Sequence, residues 1–289
     1  MRGADPRVVL GLHRSRHERR LLTGALDVGV TAIDTSTNYL GFRSHEVLAR
    51  TAGDLLPEFT LSTKVGYFPS LDRAEHSLNP IRLYGAVEQS ARDLGREPDV
   101  VFLHNPEHSL QETVPEAVPH SRDVLAQACA ILDDAASKGL CGAWGIASWD
   151  PSPLRNLIDT TMPRPSVLMV RAGLLVGIRT LDAADALAAA WGLSDGMVWG
   201  MSPFGGSTGV PVWDRIDPRV FLRDNAGLSR VQAAFRAAYD LPQVDVLAVG
   251  TDDPAHLDEL IGALAGEVDE RAIHEYRNLL RDRLRGQLV

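Results

Sequence analysis

Eight short apolar segments, each followed by a stretch of helical periodicity, constrain this 289-residue chain more than any other feature. They fall at residues 8–10, 30–34, 59–64, 100–104, 143–147, 167–170, 197–201 and 244–250, and are rich in Val, Ile and Leu. Apolar spacing of three and four residues predicts helices over 16–28, 44–52, 80–94, 121–138, 151–160, 183–191, 229–239, 254–265 and 269–287. Pro80 suits a first helical turn, and Gly139 suits a C-terminal stop. Short apolar strands alternating with helices imply a parallel sheet buried on both faces. Eight such units favour an α/β fold closed as a (β/α)8 TIM barrel, one domain over residues 1–289. An open dinucleotide-binding sheet would carry Gly-x-Gly-x-x-Gly after a strand, and Gly205, Gly206 and Gly209 have the wrong spacing.

The ends of these strands carry the chemistry. Asp34 ends the second strand and Tyr39 follows five residues later; Lys64 ends the third strand and His104 the fourth. A (β/α)8 barrel keeps its active site at that edge. Each residue also has a plain structural reading. Asp34 could cap a turn, Tyr39 could be a half-buried anchor, Lys64 could reach for water, and His104 before Asn105-Pro106 could sit in a turn. All four at the same edge shift the balance to function. Proton transfer to a carbonyl oxygen needs such a set: Tyr39 as the acid, Lys64 to lower its pKa, Asp34 to orient Lys64, and His104 to position the oxygen.

Composition removes other classes. A net charge of −9 argues against a nucleic-acid partner. Arg14, Arg16, Arg19 and Arg20 are interrupted by Glu18 and read as a solvated helix face. Cys129 and Cys141 provide neither a disulfide framework nor a zinc signature, and Cys129 reads as a small buried hydrophobe. The remaining eight histidines show no metal spacing and read as surface or loop residues, with His13 and His108 placed to line a pocket. No apolar run reaches the roughly 18 residues of a membrane span, and the first residues lack a signal-peptide core. The expectation is a soluble cytoplasmic protein that acts on a small molecule, with no membrane partner. Long connections over 67–79, 105–120 and 202–228 are expected to wall the substrate site or strap a cofactor, with Tyr67, Phe68, Trp149, Phe204 and Trp213 as candidate aromatics.

At these positions the chain resembles the aldo-keto reductases. Asp34-Thr35-Ser36-Thr37-Asn38-Tyr39 is similar to the family's Asp-Thr-Ala-x-x-Tyr, Ser62-Thr63-Lys64 to its Ser-Thr-Lys, and Leu103-His104 to its Leu-His. The run from Gly142 to Trp149 resembles its Gly-x-Val-Ser-Asn-Phe strand. Met201-Ser202-Pro203-Phe204 resembles Tyr-Ser-Pro-Leu, and Gly250-Thr251-Asp252-Asp253-Pro254 resembles Gly-Thr-x-x-Pro. The likeness runs in order over residues 8–265, nearest to the sugar and aldose dehydrogenase branch. It implies a TIM barrel that is a monomer by family default, an NAD or NADP cofactor, and Asp34, Tyr39, Lys64 and His104 as the catalytic tetrad. By the same resemblance, Ser148, Met169, Met201, Ser202, Phe204, Gly250, Thr251, Asp253 and His256 fall at cofactor-binding positions.

The cofactor side departs from the family pattern. The Ser-Asn pair that holds the nicotinamide amide is Ala147-Ser148 here, the glutamine is Met169, and the stacking tyrosine is Met201. His256 stands for the arginine that reads the 2′-phosphate and Leu260 for the asparagine that meets adenine. Asp252 and Asp253 repel a phosphate but accept from ribose hydroxyls, which favours NADH over NADPH, though both also suit a helix start. Two functions stay open: an NAD(P)-dependent oxidoreductase acting on a sugar-like or small carbonyl or alcohol, and a non-redox lyase, dehydratase or isomerase with weakened or lost cofactor binding. A regulatory binding protein is a third reading, against which the complete tetrad speaks.

Overall fold

The computed structural model describes residues 5–71, 73–110, 115–159, 161–194, 196–223 and 227–286. Its strands are β1 (Val8–Gly11), β2 (Ala32–Asp34), β3 (Thr60–Val65), β4 (Tyr67–Phe68), β5 (Glu75–His76), β6 (Val100–His104), β7 (Ala143–Ser148), β8 (Val167–Arg171), β9 (Val198–Met201) and β10 (Val246–Val249). Eight of them pair in parallel and close a barrel in the order β1-β10-β9-β8-β7-β6-β3-β2. β4 and β5 form an antiparallel hairpin at the mouth, between β3 and the next helix. The helices are α1 (Arg19–Asp27), α2 (Ser44–Ala52), α3 (Pro80–Leu94), α4 (Val118–Ser137), α5 (Ile178–Ala190), α6 (Arg230–Ala237), α7 (Pro254–Ala263) and α8 (Glu270–Gly286). The fold is therefore the expected (β/α)8 barrel.

Local chemistry sets the helix ends. The Asn79 side chain accepts from the amides of Ile81 and Arg82 ahead of α3, and Gly95, at φ 71°, ends that helix in the left-handed region. Ser229 and Gln232 form a reciprocal capping box at α6. Along each strand, alternate side chains face the lumen and the helices. Val9, Ala32, Phe102, Ala147, Met169 and Trp199 belong to the inner layer, whereas Leu10, Ile33, Leu61, Leu103, Ile146 and Leu168 pack outward under the helices.

Several expectations change. Residues 151–159 do not form an α-helix; they hold only a 3-10 turn at Leu154–Asn156. The Asp159 carboxylate accepts from the amides of Thr161 and Met162 and turns the chain there. α4 and α5 begin earlier than expected, at Val118 and Ile178. Thr160 and Gln287, expected helix ends, lie outside the described residues. α1 starts only at Arg19, so Arg14 and Arg16 precede it and are not on its face.

His17 and His45 are buried, not surface residues. His17 Nε2 meets Ser44 Oγ at 2.6 Å, that hydroxyl meets Thr35 Oγ1 at 2.6 Å, and His45 Nε2 meets Thr63 Oγ1 at 2.7 Å. These side chains brace β2 and β3 from behind. Among the described residues no helix is long and apolar enough to cross a membrane, and no group of three or more His, Cys, Asp or Glu could hold a metal ion.

Gly145 leaves the room that the Phe102 ring fills. A Cβ there would lie 2.4 Å from the Val167 carbonyl oxygen and 2.8 Å from the ring. Gly145→Ala is expected to destabilise the barrel by about 1–3 kcal/mol through overpacking, read by urea unfolding. Burial, with a smaller push from His17, depresses the His45 imidazole to about 4. Between that value and the ordinary value near 6.5 the unfolded chain binds the extra proton, so stability is full above the window and falls as pH falls through it. His45→Gln should remove about 3 kcal/mol of the wild type's stability loss between pH 7 and pH 4.

Candidate active site

Register brings the first three polar groups together. β2 and β3 pair with Asp34 opposite Ser62, so Lys64 lies two residues further along β3 on the same lumen face. β3 and β6 pair with Lys64 opposite Phe102, which puts His104 two residues beyond Phe102, again facing the lumen. Tyr39 enters from the loop after β2. Lys64 is 1% exposed, Asp34 5% and Tyr39 9%.

The ammonium of Lys64 has three hydrogens and three acceptors. It pairs with Asp34 Oδ2 and donates to the Thr35 carbonyl at 3.0 Å and to the Tyr39 hydroxyl at 3.3 Å. Asp34 Oδ1 accepts from Ser62 Oγ at 2.8 Å. The Tyr39 oxygen thus accepts from Lys64 and keeps its own proton for another partner. Burial pulls the Lys64 ammonium down, but the charges and hydrogen bonds of Asp34 and Tyr39 together outweigh it and raise its pKa.

Tyr39 departs from expectation. Burial raises its phenol above the ordinary value, and the opposing pull of Lys64 does not overcome it. Removal from water disfavours the phenolate more than one ammonium, already shared with a carboxylate, favours it. Tyr39 is therefore a protonated phenol at neutral pH. His104 lies well below its ordinary value because of burial, then because of Lys64 and the neighbouring histidines, so it is neutral. Its ring centroid stands 6.3 Å from that of Tyr39. His13 packs edge-on to Tyr39 at 4.8 Å.

All four residues line one cavity of about 830 Å³ that opens at the carboxyl edge of the barrel. Asn38, Tyr67, Asn105 and the half-exposed Trp149 surround its inner end, and Arg171 lies 4.8 Å over the Trp149 ring. Tyr67 OH meets His108 Nδ1 at 2.6 Å. The cavity then runs past Met201, Ser202 and Phe204 to the loop before α7, where Gly250, Thr251, Asp252 and His256 line it with Glu259 and Leu260.

Three further expected cofactor positions lie elsewhere. Met169 is fully buried in the inner layer of the barrel and is not part of the cavity wall. Ser148 follows the inward Ala147, so it faces outward with Ile146; its buried hydroxyl lies by the Glu107 carboxylate, whose charged form it favours. Asp253 is the N-cap of α7, its carboxylate accepting from the Ala255 amide at 3.0 Å. Phe68 and Trp213 also stand off the cavity: Arg82 lies over the Phe68 ring, and Trp213 packs on Phe204.

The sequence reading missed Arg14 and Glu259. Arg14 sits just past β1, lines the cavity and donates from Nη1 to the Gly206 carbonyl at 2.9 Å, spanning from one mouth loop to another. The same strand-end rule that picks Asp34 and His104 would have picked Arg14. Glu259 carries no such signal, because it lies within α7 and not at a strand end.

The family model of the aldo/keto reductases matches residues 13–204, more than half of the chain. No curated protein matches the sequence significantly. An aldo-keto reductase from Bacillus halodurans, solved in its holo form, superposes with a TM-score of 0.72 at 16% identity, covering 95% of this chain and 91% of that one. An aldo/keto reductase from Brucella melitensis superposes at 0.65 with 16% identity, covering 95% and 93%. An aldose reductase from Giardia lamblia does so at 0.65 with 15% identity, covering 98% and 94%. At such identities these three establish a shared fold. The family match reaches further, and by it the chain belongs to the aldo/keto reductase family, an oxidoreductase family.

Proposed function

We propose that this cavity moves hydride between a nicotinamide dinucleotide and a carbonyl or alcohol carbon of a small, sugar-like substrate, with Tyr39 as the general acid and base. The family generally uses NAD(P)H. The observation that carries the reading is the full commitment of the Lys64 ammonium to Asp34, Thr35 and Tyr39, which leaves the Tyr39 proton for the cavity. As a carbonyl oxygen gains negative charge, Tyr39 donates that proton. The phenolate left behind is stabilised by Lys64, which Asp34 keeps in place. His104 borders the same oxygen site.

The residues along the cavity fit a dinucleotide at most points. The volume lies within the roughly 300–1,000 Å³ of ligand sites. A bound dinucleotide supplies the hydride. Met201 and Phe204 offer apolar surface for a ring, and Arg14 offers a cation for phosphate. At the outer end Asp252 and Glu259 accept from ribose hydroxyls and oppose a 2′-phosphate, which supports NADH over NADPH.

One observation favours the second reading. Ala147 and Met169 face inward where an amide would need partners, and Ser148 faces away. On that reading the tetrad moves protons without hydride, as a lyase, dehydratase or isomerase, with weakened or lost cofactor binding.

Calorimetric titration of wild type and Tyr39→Phe with NADH and NADPH, followed by turnover assays, separates the readings. The expected result is micromolar NADH binding, weaker NADPH binding, and affinity retained in Tyr39→Phe with turnover lower by roughly 10²–10⁴-fold. Lys64 keeps Asp34 and Thr35 in that variant, so the fold should hold. Turnover retained in Tyr39→Phe would contradict its role, and wild-type protein that binds neither dinucleotide would favour the non-redox reading.

A further inference from the structure

At the barrel mouth the hairpin of β4 and β5 rests on the strand that carries His104 through one side chain. His76 Nε2 lies 2.8 Å from the His104 carbonyl oxygen, and His76 Nδ1 lies 2.7 Å from Ser109 Oγ. A carbonyl oxygen only accepts, so Nε2 carries a proton and donates it. Both ring nitrogens have polar partners, so turning the ring over would set carbon against each and lose both bonds. Burial holds this imidazole below its ordinary value, so it is neutral and accepts from Ser109 at Nδ1. Gly66 makes room for the contact. At its φ of 136°, a Cβ would lie 3.3 Å from His76 Nε2 and 3.2 Å from the His104 carbonyl oxygen.

The two ends of the His76–His104 bond are held differently. β6 pairs with β7 as far as His104 opposite Ala147, and the next amide, that of Asn105, donates to the Ala147 carbonyl at 2.6 Å. The hairpin pairs with no strand of the barrel. It carries Tyr67, which lines the cavity and packs edge-on to both His76 and His104, at 4.8 and 4.9 Å between ring centroids. Asn105 meets the same ring at its far end. Its Oδ1 accepts from the Trp149 amide at 3.1 Å, which fixes the turn of the side chain, and its Nδ2 donates to the Tyr67 oxygen at 3.3 Å.

We propose that His76 is a positioning residue for the substrate: its bond to the His104 carbonyl sets the hairpin, and through it the Tyr67 ring, against His104 and so fixes the width of the cavity's inner end. The ladder to β7 holds His104 without help from His76. Loss of the bond therefore moves the hairpin and leaves Asp34, Tyr39, Lys64 and His104 in place. A short hydroxy-carbonyl compound then loses one wall of its site, while the proton transfer at Tyr39 is unchanged. The substrate consequence rests on the oxidoreductase reading above; the docking of the hairpin does not.

Two measurements test this. In ligand-free protein, NMR follows exchange of the Ser77 amide, which donates to the Gly66 carbonyl at 2.9 Å across the hairpin. His76→Leu should speed that exchange roughly 3–10-fold, whereas His76→Gln, whose side-chain amide can donate to the same carbonyl, should leave it unchanged. In turnover with NADH, His76→Leu should raise KM for glycolaldehyde about 3–10-fold with kcat and NADH affinity unchanged, and His76→Gln should match wild type. KM for the bulkier benzaldehyde should change little. Tyr67→Ala should raise KM for glycolaldehyde by a similar factor and the double variant no further, because His76 acts through Tyr67. Unchanged Ser77 exchange in folded His76→Leu, an unchanged KM, a loss that falls on kcat instead, or additive effects of the two substitutions would overturn the proposal. Wild type that reduces glycolaldehyde with neither dinucleotide would count against the function proposed above, and the exchange measurement would still decide whether His76 docks the hairpin. Should His76→Leu fail to fold, His76→Ala takes its place in both measurements.

Discussion

A lysine ammonium taken wholly out of water is the constraint around which the mouth of this barrel is organised. Lys64 is among the largest fully buried side chains of the chain. Isolated, its charge would carry a desolvation cost of several kcal/mol. Asp34, the Thr35 carbonyl and the Tyr39 hydroxyl offset that cost, and each must stand within hydrogen-bond reach at once. Asp34 and Lys64 meet only if β2 and β3 are parallel neighbours in the observed register, with both residues facing the lumen. A one-residue slip would turn the carboxylate toward the helices. Barrel closure and the chemistry at its mouth are thus one geometric requirement.

The rest of the cavity extends from this point. Polar hydrogens are allotted with little slack at the inner end: Lys64 spends its three, and Tyr39 retains one for the cavity. Further out the charge alternates, with Arg14 along the middle and Asp252 and Glu259 at the far end. Groups that can exchange protons therefore lie inside and charged groups outside, along one channel. Behind the wall, His17, Ser44 and Thr35 form a buried chain that steadies the carbonyl on which Lys64 rests.

Much of this was legible from the residues in order. Strand and helix alternation implies the closed barrel, and Asp34, Tyr39, Lys64 and His104 stand out by their place at or just past strand ends. What escaped the reading has physical causes. Residues 151–160 carry helical apolar spacing, but the Asp159 turn ends the segment after a single 3-10 turn. By resemblance to the family's Ser-Asn pair Ser148 falls at an amide-holding position, whereas strand parity sends it outward; the contrast of small Gly145 and Ala147 with bulky Ile146 carries that signal. The burial of His17 and His45 depends on how α2 settles on β3, which no local pattern encodes. The direction of the Tyr39 shift depends on the balance of desolvation against charge, and a sequence names the charges without the burial.

The central claim is that Asp34 and Lys64 act as one buried pair that the surrounding fold requires. A double-mutant cycle by urea unfolding tests it most directly, using Lys64→Met, Asp34→Asn and the double variant. The account predicts that Lys64→Met alone destabilises by about 3–5 kcal/mol, because it strands a carboxylate in the barrel, and that the double variant loses much less than the sum of the singles. Strict additivity of the two substitutions would contradict it.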